Sequence, residues 1–265
     1  MPNTPVTKEP HPTSSEIHDE KQYENQFEDR LFISGPNPRM IDFRLLLGVL
    51  SDFIKGFREL HFVGPCITVF GSARFDENHA YYKLAREVGA SIAKMGFTVM
   101  TGGGPGIMEA ANRGAKDVQG HSVGCNIVLP MEQHENPYLD RWVNIRYFFV
   151  RKVLLMKYSY GFICMPGGYG TVDEMFEALT LIQTKKVRNF PVVLMGLTYW
   201  QPLRTMIDDM AARGTISPED INLIRFTDSV DEMRTHLERH AVVQFKLRRG
   251  RIPREFSVLG ESGLG

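Results

Sequence analysis

Apolar and polar residues repeat along this chain with two different periods. Between 40 and 62 the apolar positions Ile41, Phe43, Leu45, Leu46, Leu47, Val49, Leu50, Phe53, Ile54, Phe57 and Leu60 recur at helical spacing, with Arg44, Asp52, Lys55 and Arg58 between them. That is the period of an amphipathic helix, and its apolar face is wide enough to pack on a core or a second subunit. Beyond it, short apolar runs at 66–70, 97–100, 122–128, 142–145, 162–165 and 192–195 read as strands. Segments 81–94, 107–116, 148–157, 172–184 and 201–213 carry the helical period. The chain then shows a Ser217-Pro218 helix start, a short strand at 223–226 and a closing helix from Val230. Apolar strands interleaved with helices imply βαβ units, and so a parallel sheet covered on both faces. The expected fold is α/β: a Rossmann-like doubly wound parallel sheet preceded by an amphipathic helix, in one domain over 31–243.

The two ends differ from this pattern. Residues 1–30 are rich in Pro, Glu, Asn, His and Ser with few apolar anchors, and are expected to be disordered. Residues 244–265 are expected to form a mobile basic tail. The run Lys246-Leu247-Arg248-Arg249-Gly250-Arg251 reads as a solvated end, not a nucleic-acid arm, because 31 Lys+Arg balance 31 Asp+Glu. A general nucleic-acid or membrane-surface binder relies on a one-signed field that a neutral total does not supply. No apolar run reaches the length of a membrane span, and the N-terminus has neither a basic nor an apolar leader region, so a cytoplasmic location is expected. At 265 residues and 43% hydrophobic, the chain can bury a full core. Cys66, Cys125 and Cys164 lie in apolar strand-like segments without CxxC spacing and are expected to be buried, reduced thiols. His121 and His134 have no second ligand at metal-like spacing, so no metal or other cofactor is expected.

Two glycine-rich turns stand out. Thr101-Gly102-Gly103-Gly104-Pro105-Gly106 follows one strand-like run, and Pro166-Gly167-Gly168-Tyr169-Gly170-Thr171 follows another. Glycine is needed where backbone N–H groups approach an anion without an intervening Cβ, and a helix N-terminus adds its dipole. In a doubly wound sheet both turns, and Gly71-Ser72-Ala73-Arg74 after the first strand, face one crevice at the carboxyl ends of the strands. The first turn is not a dinucleotide fingerprint, since the first strand ends in Gly71-Ser72-Ala73 and no acidic residue stands at the ribose-gripping distance, and no GxxxxGK[ST] run is present. NAD binding and P-loop chemistry are both disfavoured.

The combination of Gly102 to Ala110, Arg151-Lys152 and Pro166-Gly167-Gly168-Tyr169-Gly170-Thr171-Val172-Asp173-Glu174 resembles the LOG family of cytokinin riboside 5′-monophosphate phosphoribohydrolases, over about 65–237. The resemblance implies a Rossmann-like fold. It also implies hydrolysis of the N-glycosidic bond of a purine nucleoside 5′-monophosphate to free base and ribose 5-phosphate, without a cofactor, with dimers as the minimal unit. Arg151 and Glu174 would be the essential pair, and Gly167, Gly168, Gly170 and Thr171 the phosphate-binding turn. The segment 129–138 differs from the loop of plant-type members, so AMP and N6-substituted AMP stand as equal candidate substrates.

The chemistry also follows from the residues. Breaking a ribosyl C–N bond passes through an oxocarbenium-like state, which a carboxylate near C1′ stabilises while orienting water. Glu174 suits that role if Thr171 and the helix N-terminus hold the phosphate; the bland alternative is a glutamate complementing the helix dipole. Arg151 would clamp ribose, phosphate or Glu174, whereas Lys152 reads as a solvated neighbour. Gly103, Gly104 and Ser72 complete the expected substrate contacts. Glu132 is either a ribose or base contact or a solvated loop acid, and Glu109 is equally a helix-start charge. Tyr147, Phe148 and Phe149 either border a purine or belong to the core. Three functions compete. The first is a homo-oligomeric N-glycosidase, with oligomerisation suggested by the 40–62 helix and by Met175, Phe176, Leu179 and Ile182. The second is a non-catalytic nucleotide or molybdenum-cofactor carrier, which needs the glycine turns but no positioned carboxylate. The third is a decarboxylase, for which no lysine sits in a pyridoxal phosphate setting.

Overall fold

The structure, a computed structural model, describes residues 35–36, 38–128 and 135–243. The chain divides into two compact units, residues 1–48 with 129–132 and residues 49–128 with 133–265. Expectations for 1–30, for the 244–265 tail and for Glu132 fall outside the described residues.

Helix α1 (Arg39–Leu60) is the amphipathic helix of the sequence pattern. Within the larger unit it is followed by β1 (Cys66–Phe70), α2 (Ala80–Lys94), β2 (Thr98–Thr101), α3 (Ile107–Asp117), β3 (Ser122–Ile127), β4 (Arg141–Ile145), α4 (Phe148–Tyr158) and β5 (Ser159–Cys164). Then come α5 (Tyr169–Gln183), β6 (Val192–Leu194), α6 (Leu197–Ala212), a 3₁₀ turn (Pro218–Leu223), β7 (Ile224–Phe226) and α7 (Val230–Leu237), which runs on into a π-helical turn (Glu238–Val243). All seven strands pair in parallel, in the order β4-β3-β2-β1-β5-β6-β7. The order reverses between β1 and β5. Such a switch point opens a crevice at the strands' carboxyl ends, and it brings the segments after β1, β2 and β5 to one side.

The strands β1, β2, β3 and β6 are buried at every position, as a sheet covered on both faces requires. The edge strand β4 is only partly buried, and residues from α1 hold it. Lys55 Nζ donates to the Asn144 carbonyl (2.9 Å), and Arg141 Nη1 donates to the Glu59 carbonyl (3.1 Å). Asp52, buried on the same helix, accepts from the Arg146 N–H (2.7 Å), the Tyr147 N–H (3.4 Å) and Arg146 Nε (3.1 Å). It thereby satisfies backbone donors at the start of α4, the helix that carries Arg151.

Three element boundaries differ from the sequence expectation. Strand β5 begins at Ser159, where the Ser159 and Thr68 hydroxyls share a buried hydrogen bond of 2.5 Å that draws the chain into the sheet directly from α4. Helix α5 begins at Tyr169, because the Gly168 carbonyl already accepts from the Thr171 and Val172 N–H groups, each at 3.1 Å. Helix α6 begins at Leu197 after Gly196 in the left-handed region (φ 98) and carries Pro202 within it.

The three cysteines are buried and unpaired, as expected. Burial pushes the Cys125 thiol up to about 12, and the Cys66 and Cys164 thiols upward as well. Among the described residues no helix is long and apolar enough to cross a membrane, and no cluster of metal-ligating side chains occurs.

Candidate active site

Backbone hydrogen bonds join the three turns at the switch point. The Ser72 N–H donates to the Pro166 carbonyl (3.0 Å), and the Ile107 N–H donates to the Ser72 carbonyl (3.0 Å). Gly106 has φ 68, and a Cβ there would lie 2.5 Å from the Ser72 carbonyl oxygen, so no other residue fits that corner without strain. Ser72 thus ties the β1, β2 and β5 turns into one frame through its backbone, while its hydroxyl accepts from the Arg74 N–H (3.2 Å).

The glycines of the second turn divide by what surrounds them. A Cβ on Gly167 would run into the Thr171 side chain and lie 3.1 Å from Gly71 Cα, so Gly167 serves the packing of the turn. Thr171 itself is buried at that contact. Gly168 and Gly170 would meet nothing within 4 Å, and neither has a positive φ. The fold therefore does not need glycine at these two places. At the same spot the N–H groups of Gly168, Tyr169 and Gly170 have no acceptor among the described residues, as the opening donors of a helix lack intrahelical partners. Open space beside unpaired donors at a helix N-terminus suits an anion. Gly170→Ala should therefore raise the stability of the free protein by up to about 1 kcal/mol, yet reduce stabilisation by added inorganic phosphate. Thermal unfolding with and without phosphate checks both signs.

Glu174 lies one helical turn further along α5, beyond the first turn, so it is not a dipole-complementing end charge. Its side chain is 4% exposed and faces Arg151 Nη1 at 3.6 Å, with the arginine side chain 13% exposed. Burial pushes the Glu174 carboxyl up to about 7, against the pull of Arg151 and Lys152. Arg151 also donates through Nε to the Cys125 carbonyl of β3 (2.9 Å). Its Nη2 lies 2.7 Å from where a Cβ of Gly102 would be. One guanidinium therefore touches β3, the first glycine turn and Glu174.

Lys152 departs from the expectation of a solvated neighbour. It is 19% exposed and pairs with Asp173 (3.0 Å) and Glu177 (2.9 Å) on α5. Burial lowers its pKa, but these two carboxylates outweigh that and the ammonium is held above its usual range. Arg151 and Lys152 thus fasten α4 to α5 on either side of Glu174.

The other candidates fall elsewhere. Gly103 and Gly104 sit in the first turn, where Gly103 has φ 79 and its N–H donates to the Thr101 hydroxyl (2.9 Å). Glu109 accepts from the Tyr82 hydroxyl (2.8 Å) in the first turn of α3. Tyr147 is core, whereas Phe148 and Phe149 are exposed. His121 lies 3.9 Å from Asp140. Sequence reasoning missed Asn136, which is buried against the first turn. It sits in an irregular segment with no periodicity, and its one local signal is the Asn-Pro dipeptide that favours a turn.

The chain is similar to known proteins in sequence and in fold. The family model described as possible lysine decarboxylase matches residues 108–237. The chain is 31% identical over 158 residues to the cytokinin riboside 5′-monophosphate phosphoribohydrolase of Rhodococcoides fascians, covering 57% of this chain and 78% of that protein. It is 28% identical over 178 residues to a probable enzyme of the same name from Oryza sativa subsp. japonica, covering 66% and 72% of the two chains. In fold it is similar to the molybdenum-cofactor carrier protein of Chlamydomonas reinhardtii, with a TM-score of 0.50 at 24% identity over 66% of this chain and 96% of that one.

Proposed function

The chain belongs to the LOG family, and from that premise we propose that it hydrolyses purine nucleoside 5′-monophosphates, AMP or an N6-substituted AMP, to the free base and ribose 5-phosphate. The observation that carries this reading is the buried Glu174–Arg151 pair one turn beyond the unpaired N–H groups of Gly168, Tyr169 and Gly170. At the helical rise, Glu174 stands about 7 Å along the axis from the first helical residue, a span comparable to that from a 5′-phosphate to C1′. A phosphate at the N-terminus of α5 would set the anomeric carbon beside the carboxylate.

The steps follow from that placement. As the C1′–N bond lengthens, positive charge grows on the ribosyl ring, and an ionised Glu174 in a site closed to bulk water stabilises it. The same carboxylate orients a water and takes its proton as the C1′–O bond forms. That proton ends on the departing nitrogen, so one water is consumed and base and ribose 5-phosphate are released. A carboxyl that titrates near 7 suits this exchange at neutral pH. Arg151 keeps Glu174 ionised and reaches the first glycine turn, where ribose or phosphate oxygens would lie. A cofactor-free reaction belongs to the same reading. So does an oligomer, supported by Leu50, Ile54 and Phe57 of α1 and Val153 of α4, which are apolar and exposed.

The purified protein incubated with a panel of 5′-monophosphates and their nucleosides, with free bases resolved by chromatography, tests the reading. The kcat/KM for the preferred monophosphate should exceed that of its nucleoside by at least about a hundredfold, the worth of two hydrogen bonds to a charged group. Equal values for AMP and adenosine would remove the role given to the helix N-terminus. Tight nucleotide binding with no base released would favour a carrier.

A further inference from the structure

Asn136, which precedes Pro137, is buried against the first glycine turn. Its Nδ2 donates to the Gly103 carbonyl (3.1 Å), the Gly104 carbonyl (3.1 Å) and Asn112 Oδ1 (3.0 Å). Its backbone N–H donates to the same Gly103 carbonyl (2.9 Å), and its Oδ1 accepts from the Tyr138 N–H (3.2 Å). Behind it the Thr101 hydroxyl accepts from the Gly103 N–H and donates to Asn112 Oδ1 (2.7 Å). Asn112 Nδ2 in turn donates to Ser122 Oγ (2.7 Å). Gly103 is therefore held at both its N–H and its carbonyl, in a left-handed conformation. A side chain carrying two donors and an acceptor is what this position uses; aspartate would set a carboxylate against two carbonyl oxygens.

We propose that Asn136 is a positioning residue for substrate binding: by holding the Gly103 and Gly104 carbonyls to its own side it aims the Gly104 N–H at an oxygen of the bound nucleoside monophosphate. In a planar trans peptide the carbonyl and the N–H of the bond between Gly103 and Gly104 point in opposite directions. Fixing the Gly103 carbonyl on Asn136 thus fixes the Gly104 N–H on the far side, where it has no partner among the described residues. The next peptide offers no donor, since residue 105 is proline. The turn therefore presents the Gly104 N–H in a direction that Asn136 fixes, two residues from the glycine that abuts Arg151. The ligand class rests on the hydrolase reading; the orientation of the turn does not.

Three variants test it: Asn136→Ala, Asn136→Asp and, as a comparison, Ser122→Ala, which breaks the same network at the end away from the turn. Asn136→Ser, which keeps one donor, replaces the alanine variant should that not fold. Losing the orientation of one hydrogen bond to an anionic ligand should raise KM for AMP about tenfold or more while kcat stays within about threefold. Asn136→Asp should be at least as severe. Ser122→Ala should lower the unfolding temperature yet leave KM within about threefold of wild type. A merely structural role for Asn136 would lower the active fraction, and so apparent kcat, at unchanged KM. That result, or an equal rise of KM in Ser122→Ala, overturns the proposal. Calorimetric titration with AMP makes the same comparison without turnover. A hydrolytically silent wild type whose AMP binding is weakened in Asn136→Ala would end the hydrolase reading and keep this one, and a wild type that binds no monophosphate would end both.

Discussion

Replacing Glu174 with glutamine should cut hydrolysis of the preferred monophosphate by at least about a hundredfold while AMP binding stays within about threefold. Glutamine keeps the shape of the side chain in a site where it is 4% exposed, and removes only the negative charge. Charge stabilisation that acts in the transition state appears in kcat and leaves ground-state binding, which the proposed reading assigns to the N–H groups of α5, largely intact. A pH signature accompanies this. Burial sets the Glu174 carboxyl at about 7, so the ionised form that the proposed chemistry needs is lost as pH falls below 7. Wild-type kcat/KM should therefore show an acid limb near pH 7 that is absent from the residual activity of Glu174→Gln. Stability responds with the opposite sense. In the unfolded chain the same carboxyl titrates near 4.5, so between about 4.5 and 7 the folded state holds the extra proton. Its contribution favours folding at the acid end of that window and is lost as pH rises through it. Glu174→Gln should flatten that slope in unfolding curves recorded between pH 4.5 and 8. Turnover near the wild-type rate in this variant would remove Glu174 from the mechanism.

What the sequence made legible follows from how locally each feature is encoded. Apolar runs between glycine and proline punctuation located β1, β2, β3, β6, α2 and α3 to within a residue or so, because each forms where its own pattern says. The start of α5 was less legible. Gly167, Gly168 and Gly170 signal a turn, but the helix begins at Tyr169 once the Gly168 carbonyl collects two N–H groups, which a residue-by-residue preference does not anticipate. The strand character of Ser159 was hidden for a similar reason, since it depends on a hydroxyl partner, Thr68, 91 residues away. At the site, Arg151 and Glu174 were legible through a motif, whereas their contact is a tertiary fact. Lys152 was misjudged because its exposure depends on Asp173 and Glu177, which lie on another helix. Asn136 belongs to no periodic element, and only the fold reveals that its amide meets the carbonyls of a turn 32 and 33 residues earlier.

Arg151→Ala should be as damaging as the glutamate change at neutral pH, but by a different route that pH can separate. The guanidinium is the nearest counter-charge to a buried carboxyl, and its pull is the largest influence holding the Glu174 pKa down against burial. Without it the carboxyl should rise above 7, so that at pH 7 most of the protein carries a neutral, unproductive Glu174. Activity at pH 7 should fall at least about a hundredfold, from loss of the ionised fraction and of the contacts Arg151 makes at the first glycine turn. Part of the loss should return as pH is raised toward 9, and the acid limb of kcat/KM should move to higher pH. Arg151→Lys separates the two contributions. A lysine restores a positive charge, and so moves the limb back toward 7, but it lacks the planar fork that reaches the Cys125 carbonyl, Gly102 and Glu174 together. It should therefore recover the pH profile more fully than the rate. Variants whose acid limb stays where the wild type has it, with activity lost uniformly at every pH, would show that Arg151 acts on the substrate alone and leaves the protonation of Glu174 to burial.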